Sequence, residues 1–381
     1  MENHDGSKIG EPTLICYFCN LRMKKLDLYI IKKFLGTFFY AITLLVVIVI
    51  IFDISEKIDD FLEKGAPFKA IVFDYYFNFI PYFVNLFLYL FTFISVIFFT
   101  SKMASNTEIV AILSNGISFK RMLRPYILSA LFLTIMSLVL SNMIIPRTNI
   151  GLVDFEIKYL KTPRKDRASD IHMQADSETY YYIKSFNAKT DEGTDFTLEK
   201  VNHDKGMYYR LNAEKIIYNK ESKNWTISDY KVRKILDNRE IIQSGSTFDT
   251  TLNLTPVDFT VVIEDMKLMN YFELARFIKI EKEKGVRNMK KFEVEQHQRI
   301  AFPFATVILT LLGVSLSSRK VRGGIGMHLG LGIALTFTFI MFMQISTVFA
   351  TNGSLSPFLA AWIPNIIYSG IAFFTLKRAP K

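Results

Sequence analysis

Cysteine is almost absent. The 381 residues hold two, Cys16 and Cys19, both near the start, so no disulfide can staple a large part of the chain. Charge is also scarce: 22% of residues are charged against 50% hydrophobic, with 35 Phe, more apolar side chain than one soluble core needs. That balance excludes a disordered chain. No GxxxxGK followed by Ser or Thr occurs, so the chain lacks the phosphate loop with which it would bind and hydrolyse ATP itself. HExxH and GxSxG are missing too. Cys16-Tyr-Phe-Cys19 has no second CxxC or histidine pair to complete a zinc set. The chain is therefore expected to be no enzyme and to hold no metal or cofactor. The formal net charge of +10 fits a nucleic-acid binder or a basic membrane protein, and the position of the charges decides between them.

What is present is a set of uncharged apolar runs. Phe34 to Phe52 carries no charge over nineteen positions. At about 1.5 Å per helical residue, that nearly matches a hydrocarbon core of roughly 30 Å. Tyr75 to Ser101 and Pro125 to Pro146 give two more such runs. After a long polar region come Ile300 to Ser318, Leu331 to Ala350 and Pro357 to Leu376, the last two parted by the turn-forming TNGSLS. Six membrane-spanning helices are predicted, three on each side of a large insertion. A charge at the centre of such a helix costs about 2.5 to 3.5 kcal/mol on insertion scales, so its absence from all six adds to the hydropathy. No ionisable residue sits mid-span, as a proton-coupled carrier requires. The first run is too long for the apolar part of a cleaved signal, and no small-residue cleavage site follows it.

The short loops give the orientation. Lys24, Lys25, Lys32 and Lys33 precede span one, and Lys102, Lys120, Arg121 and Arg124 lie between spans two and three. Arg319, Lys320 and Arg322 follow span four, and Lys377, Arg378 and Lys381 end the chain. The opposite side carries Asp53, Glu56, Asp59, Asp60 and Glu63 against Lys57, Lys64 and Lys69. By the positive-inside rule both termini are cytoplasmic and the insertion is extracytoplasmic. The positive charge is thus accounted for by topology, and no nucleic-acid partner is needed.

The insertion has the composition of a water-soluble domain. Short β-type segments recur at Tyr180 to Lys184, Phe196 to Val201, Met207 to Leu211, Ala213 to Tyr218, Trp225 to Ser228 and Tyr230 to Ile235. Asn, Asp, Gly and Ser bound them, at the spacing of a sandwich, jelly roll or open barrel. Such a domain offers an edge to lipid or to another sheet, or serves as a sensory or structural unit without a ligand. From Asn270 the pattern turns helical, with Leu274, Phe277 and Ile278 on one face, and leads into span four.

The loop between spans two and three reads SNTEIVAILSNGIS. Ser105 and Glu108 have capping-box spacing, Ile109, Ile112 and Leu113 form a stripe, and Asn115-Gly116 supplies a stop, which predicts a short cytoplasmic helix over about 105–116. It is either a rigid knob for a cytoplasmic partner or a helix resting in the interface. Lys57 and Lys64 are candidates for lipid phosphates, or else solvated loop charges among five carboxylates. Gly326 and Gly330 form a GxxxG at the entrance to span five.

Taken in order, LDLYIIKKFLGTFF, NTEIVAILSNGIS, NMIIPRTN, VEQHQRIAFPFATVILTLLGVSLS, RGGIGMHLGLGI and LAAWIPNIIY resemble the LptF/LptG permease family, the membrane subunits of the lipopolysaccharide exporter of Gram-negative bacteria. The resemblance covers essentially Met23 to Lys381. It implies an α-helical inner-membrane protein with six transmembrane helices and an inserted periplasmic all-β, jelly-roll-like domain. The expected organisation is an N-terminal extension at 1–22, spans one to three at 23–146, the β domain at 147–269, a connecting helix at 270–299 and spans four to six at 300–381. The implied partners are a cytoplasmic ABC ATPase dimer, a second permease of the same type, periplasmic jelly-roll bridge proteins and lipopolysaccharide. The implied function is extraction of lipopolysaccharide, entering between helices one and five of the paired permeases, and its passage toward the outer membrane. By the same resemblance the short cytoplasmic helix becomes a coupling helix. Glu108 is its acidic position toward the ATPase, with Ile109, Ile112 and Leu113 beside it, and Lys57 and Lys64 fall where the family carries bases for lipid phosphate. The competing functions are a permease for another lipid or lipoprotein and a non-transport scaffold or sensor.

Overall fold

A computed structural model describes residues 24–160, 167–174, 178–187, 190–202, 206–236, 239–252, 254–256, 263–283, 289–321 and 323–379. Cys16, Cys19 and Met23 lie outside them. Among the described residues six helices are long and apolar enough to cross a membrane: α1 (Lys25–Glu63), α2 (Phe68–Ser105), α4 (Phe119–Tyr159), α6 (Met289–Ser317), α7 (Gly324–Asn352) and α8 (Pro357–Lys377). The short α3 (Glu108–Ser114) joins α2 to α4, and α5 (Tyr271–Glu283) precedes α6. Between α4 and α5 lie six strands, so the architecture is a helical membrane protein with an inserted all-β domain.

The helices outrun the apolar segments that announce them. α1 has 39 residues, about 58 Å of helix against a hydrocarbon core of roughly 30 Å. No Gly or Pro interrupts its charged end until Gly65, whose φ of +63° ends it. α4 passes through Pro146, where the sequence suggests a boundary. Leu140–Ile144, just before that proline, winds as π-helix, which widens the turn where the ring would otherwise meet the carbonyl four residues back. The polar insertion therefore opens as helix, and its first strand begins only at Arg167.

α6 is the hub. Its buried face is made of Ala301, Pro303, Ala305, Thr306, Thr310, Gly313, Ser315 and Ser317 with Leu309, Leu312 and Val314, and it packs against α2, α4 and α8. Small residues let backbones approach: a Cβ on Gly313 would lie 2.9 Å from Val96 Cγ1 and 3.1 Å from Phe93 Cδ2. Polar side chains then bond across helices. Thr134 donates to the Pro303 carbonyl at 3.1 Å and Asn365 to the Ala301 carbonyl at 2.7 Å. The GxxxG of α7 is not used for this packing. A Cβ on Gly326 or Gly330 would meet open space, whereas Gly332 is the glycine of α7 pressed against Ile97.

The strands are β1 (Arg167–Gln174), β2 (Thr179–Asn187), β3 (Glu192–Asn202), β4 (Gly206–Asn219), β5 (Asn224–Leu236) and β6 (Arg239–Thr250). They form one antiparallel meander in sequence order. β4 joins two segments that the sequence reads separately, and so does β5; β1 and β6 are additional to the expected set. Alternate residues such as Tyr181, Ile183, Phe196, Leu211, Ile216, Trp225 and Ile227 make a single core. Phe186 on β2 and Trp225 on β5 sit three strands apart, about 14 Å on a flat sheet, yet their ring centroids are 6.3 Å apart. The sheet is curled around its apolar face. Trp225 Nε1 closes one end by donating to the Leu254 carbonyl at 3.0 Å.

Candidate functional site

Between α2 and α4 the chain must reverse twice within a few residues. α2 runs through Ser105, so the expected Ser105–Glu108 capping box does not form. The break falls at Thr107, a non-glycine residue in the left-handed region at φ 61°, with no side-chain cap. The other end follows the sequence. Gly116, at φ +81°, donates to the Leu113 carbonyl and Ile117 to the Ile112 carbonyl, the paired bonds of a Schellman stop.

α3 is bolted to the bundle by its apolar side. Ile109 is buried, and Ile112 and Leu113 pack on the same cluster as Ile30, Phe34, Met103, Phe119 and Met122. These three residues anchor the helix; the side left open carries Val110, Ala111 and Ser114. Glu108 is half-buried at the edge between. It accepts from Tyr29 Oη at 3.0 Å and from Asn106 Nδ2 at 3.3 Å, so its carboxylate is held in one orientation.

A second polar contact beside it was not singled out by the sequence reading. Arg121, in the first turn of α4, gives both terminal nitrogens to the two oxygens of Asp27 in the first turn of α1, each at 2.6 Å. Asp27 is 5% exposed and its Oδ2 also accepts from the Lys24 backbone amide at 3.0 Å. The signal lay in the phase of α1. Asp27 falls on the stripe of Ile30, Phe34, Phe38 and Ile42, so a charge at that position faces the core and requires a partner.

At the far end of α1, Lys57 is not an open cation. Its ammonium is 2.7 Å from Asp53 Oδ1 and also donates to Tyr75 Oη, while Tyr76 Oη donates to Asp53 Oδ2 at 3.1 Å. Phe61, Tyr75, Tyr76, Phe79 and Phe155 enclose this cluster. Lys64 is placed differently, exposed where α1 ends. The two lysines therefore occupy distinct environments rather than one site.

A cavity of about 160 Å³ opens between α2, α4, α6 and α7, lined by polar Asn85, Ser137 and Gln298 and by apolar Leu86, Phe302 and Met343 among others. Arg299 borders it, 5% exposed. It donates to the Met266 carbonyl at 2.6 Å and the Met269 carbonyl at 2.7 Å, and its Nε is 3.3 Å from Glu295. Those carbonyls belong to the 3-10 turn Ile263–Leu268 and the residue after it, where the chain returns from the β domain. Asn149 on α4 holds the same turn through the Lys267 carbonyl at 3.0 Å. The outgoing and returning connections of the β domain are thus tied to each other and to the bundle. Among the described residues no group of three or more His, Cys, Asp or Glu is placed to hold a metal ion.

Comparison with known proteins gives one finding that spans both halves of the molecule. The model of the family described as lipopolysaccharide export system permease LptF/LptG matches residues 28–378. No curated protein matches the chain.

Proposed function

Because the chain belongs to the LptF/LptG family of lipopolysaccharide export permeases, we propose that it is the membrane subunit of an ATP-driven exporter that lifts lipopolysaccharide from the inner membrane and hands it to its own β domain. The family is a transporter membrane subunit, not itself an enzyme, and six spans make this chain a multi-pass inner-membrane protein. Hydrolysis then belongs to a separate cytoplasmic ATPase dimer. The observation that carries the reading is the extent of the family match, which takes in all six spans and the β domain together.

In this reading both termini and α3 face the cytoplasm and the β domain lies in the periplasm, where bridge proteins of similar fold receive the lipid. The loop charges support that orientation. α1 and α7 line the cavity shared with a second permease. Their outward faces are apolar and exposed, with Leu44, Val47 and Ile51 on one and Phe337, Ile345 and Val348 on the other, a wall suited to acyl chains. Glu108 and the Val110–Ala111–Ser114 side of α3 meet the ATPase, held in place by Ile109, Ile112 and Leu113. Lys64 is the freer of the two lysines for a headgroup phosphate; Lys57 reaches one only by leaving Asp53.

Affinity purification from native membranes tests this directly. The expected co-purifying species are an ATP-hydrolysing subunit, a related permease and lipopolysaccharide. A different lipid or a lipoprotein in the bound fraction would make the chain a permease for that cargo, and the absence of any ATPase would make it a scaffold or sensor. Glu108→Ala should weaken ATPase association or uncouple hydrolysis from export; intact binding with full export would remove Glu108 from the interface. Lys64→Glu should lower lipid-stimulated hydrolysis, and an unchanged rate would return Lys64 to the solvated surface.

A further inference from the structure

We propose that the Asp27–Arg121 pair is the link through which α3 drives α1, making these two side chains positioning residues for transport. The proposal rests on α3 being the element that meets the ATPase.

A rigid path runs from α3 through α4 to α1. Only Asn115 to Ser118 separate α3 from α4, and the two bonds of the Schellman stop fix that turn. Ser118 caps α4 by accepting from the Arg121 amide at 3.3 Å, so the residue that reaches α1 belongs to the same fixed turn. A displacement of α3 is therefore delivered to the Arg121 guanidinium. From there it passes to Asp27 through two parallel bonds, a planar fork that resists rotation as well as separation.

α1 is gripped from a second direction as well. Tyr29 reaches Glu108 on α3 at 3.0 Å. At about 100° per residue, positions 27 and 29 point roughly 200° apart around the helix. Two elements, α4 and α3, thus hold the first two turns of α1 from different directions. Beyond those turns the buried stripe continues only as far as Ile42, and Leu44, Val47, Ile48, Ile51 and Phe52 are exposed. The next polar hold is Asp53 with Lys57, Tyr75 and Tyr76. A long helix clasped at its cytoplasmic end, packed on one face through Leu45, Val49 and Ile50 and open on the other, moves as one body when the clasp moves. The pair joins residues 94 positions apart in the chain and so ties the start of α4 to a different span.

The test uses the full complex of this chain, its partner permease and the ATPase in lipopolysaccharide-loaded vesicles, with ATP hydrolysis and lipid release measured separately. Asp27→Asn and Arg121→Gln should leave hydrolysis within about twofold of wild type and lower lipid released per ATP at least tenfold. Arg121→Lys, which keeps the charge but not the fork, should fall between. The exchange Asp27→Arg with Arg121→Asp should recover at least a third of the wild-type ratio. Variants with an unchanged ratio would overturn the proposal. So would variants in which assembly, hydrolysis and release all fall together, since that is the behaviour of a merely structural pair. If the wild-type complex shows no ATP-dependent release, or the ATPase binds without contacting α3, the coupling reading itself has failed; a normal wild type with insensitive pair variants condemns only the pair.

Discussion

α1 and α6 are both long apolar helices, yet they occupy opposite situations. In the most apolar stretch of each, 17% of α1 is buried and 61% of α6. α1 is the more apolar of the two by residue type, dominated there by Leu, Ile and Val, while the buried face of α6 carries Ala, Gly, Ser and Thr. In a soluble protein the ranking would be reversed. In a bilayer the surroundings are as apolar as leucine, so burial follows the chance for close backbone contact and interhelical hydrogen bonds rather than greasiness. For this fold, small and hydroxyl residues mark the hub, and large aliphatic ones mark the faces left open.

The comparison can be pressed hardest at Arg299. Arg299→Leu leaves the Met266 and Met269 carbonyls without their donor and should cost roughly 2 to 5 kcal/mol in reversible detergent unfolding. It should also loosen the return connection of the β domain, read as protease sensitivity near residue 270. Gly313→Leu comes next. Its side chain would be driven into Val96 and Phe93, and overpacking of that kind costs about 1 to 3 kcal/mol in the same assay. By contrast Val47→Ala and Ile48→Ala on α1 should stay within about 0.5 kcal/mol. A loss there as large as at Gly313 would show that the outward face of α1 packs against protein in the folded chain.

The smallest effect lies outside the membrane. Arg233 donates to both oxygens of Glu240 across β5 and β6, and that hydrogen bonding holds the Glu240 carboxyl below its ordinary value while raising the Arg233 guanidinium. A carboxyl with a lowered folded value stabilises the strand pair above the usual carboxylate range, and that stabilisation is lost as pH falls through the lowered value. Amide exchange at the paired ends of β5 and β6, Arg233 to Leu236 and Arg239 to Ile242, should therefore be faster at about pH 3 than at about pH 6, after correction for intrinsic rates, and Arg233→Met should abolish the difference.

The six spans were legible because apolar length is a direct requirement of the bilayer. Their true ends were not. α1 continues through Asp53 to Glu63 because nothing breaks it, and α4 absorbs Pro146 by changing its helical pitch, which no local pattern announces. β6, Arg239–Thr250, escaped notice because almost all of it is exposed, leaving no alternation to read. Around the candidate site, the stop at Gly116 could be found from local spacing, whereas the Ser105–Glu108 spacing gave no cap and Glu108 entered only through the family resemblance. The phase of Asp27 predicts that it needs a partner, but nothing in a single sequence names Arg121, since that pairing exists only once α1 and α4 are packed side by side.

Thr107 carries one more consequence. Two residues, Asn106 and the left-handed Thr107, make the whole corner between α2 and α3, so the chain has little slack there to absorb a push. Replacing them with a longer glycine-rich segment would turn a stiff elbow into a swivel, and in the coupling role proposed above a displacement of α3 would be dissipated before it reached α2.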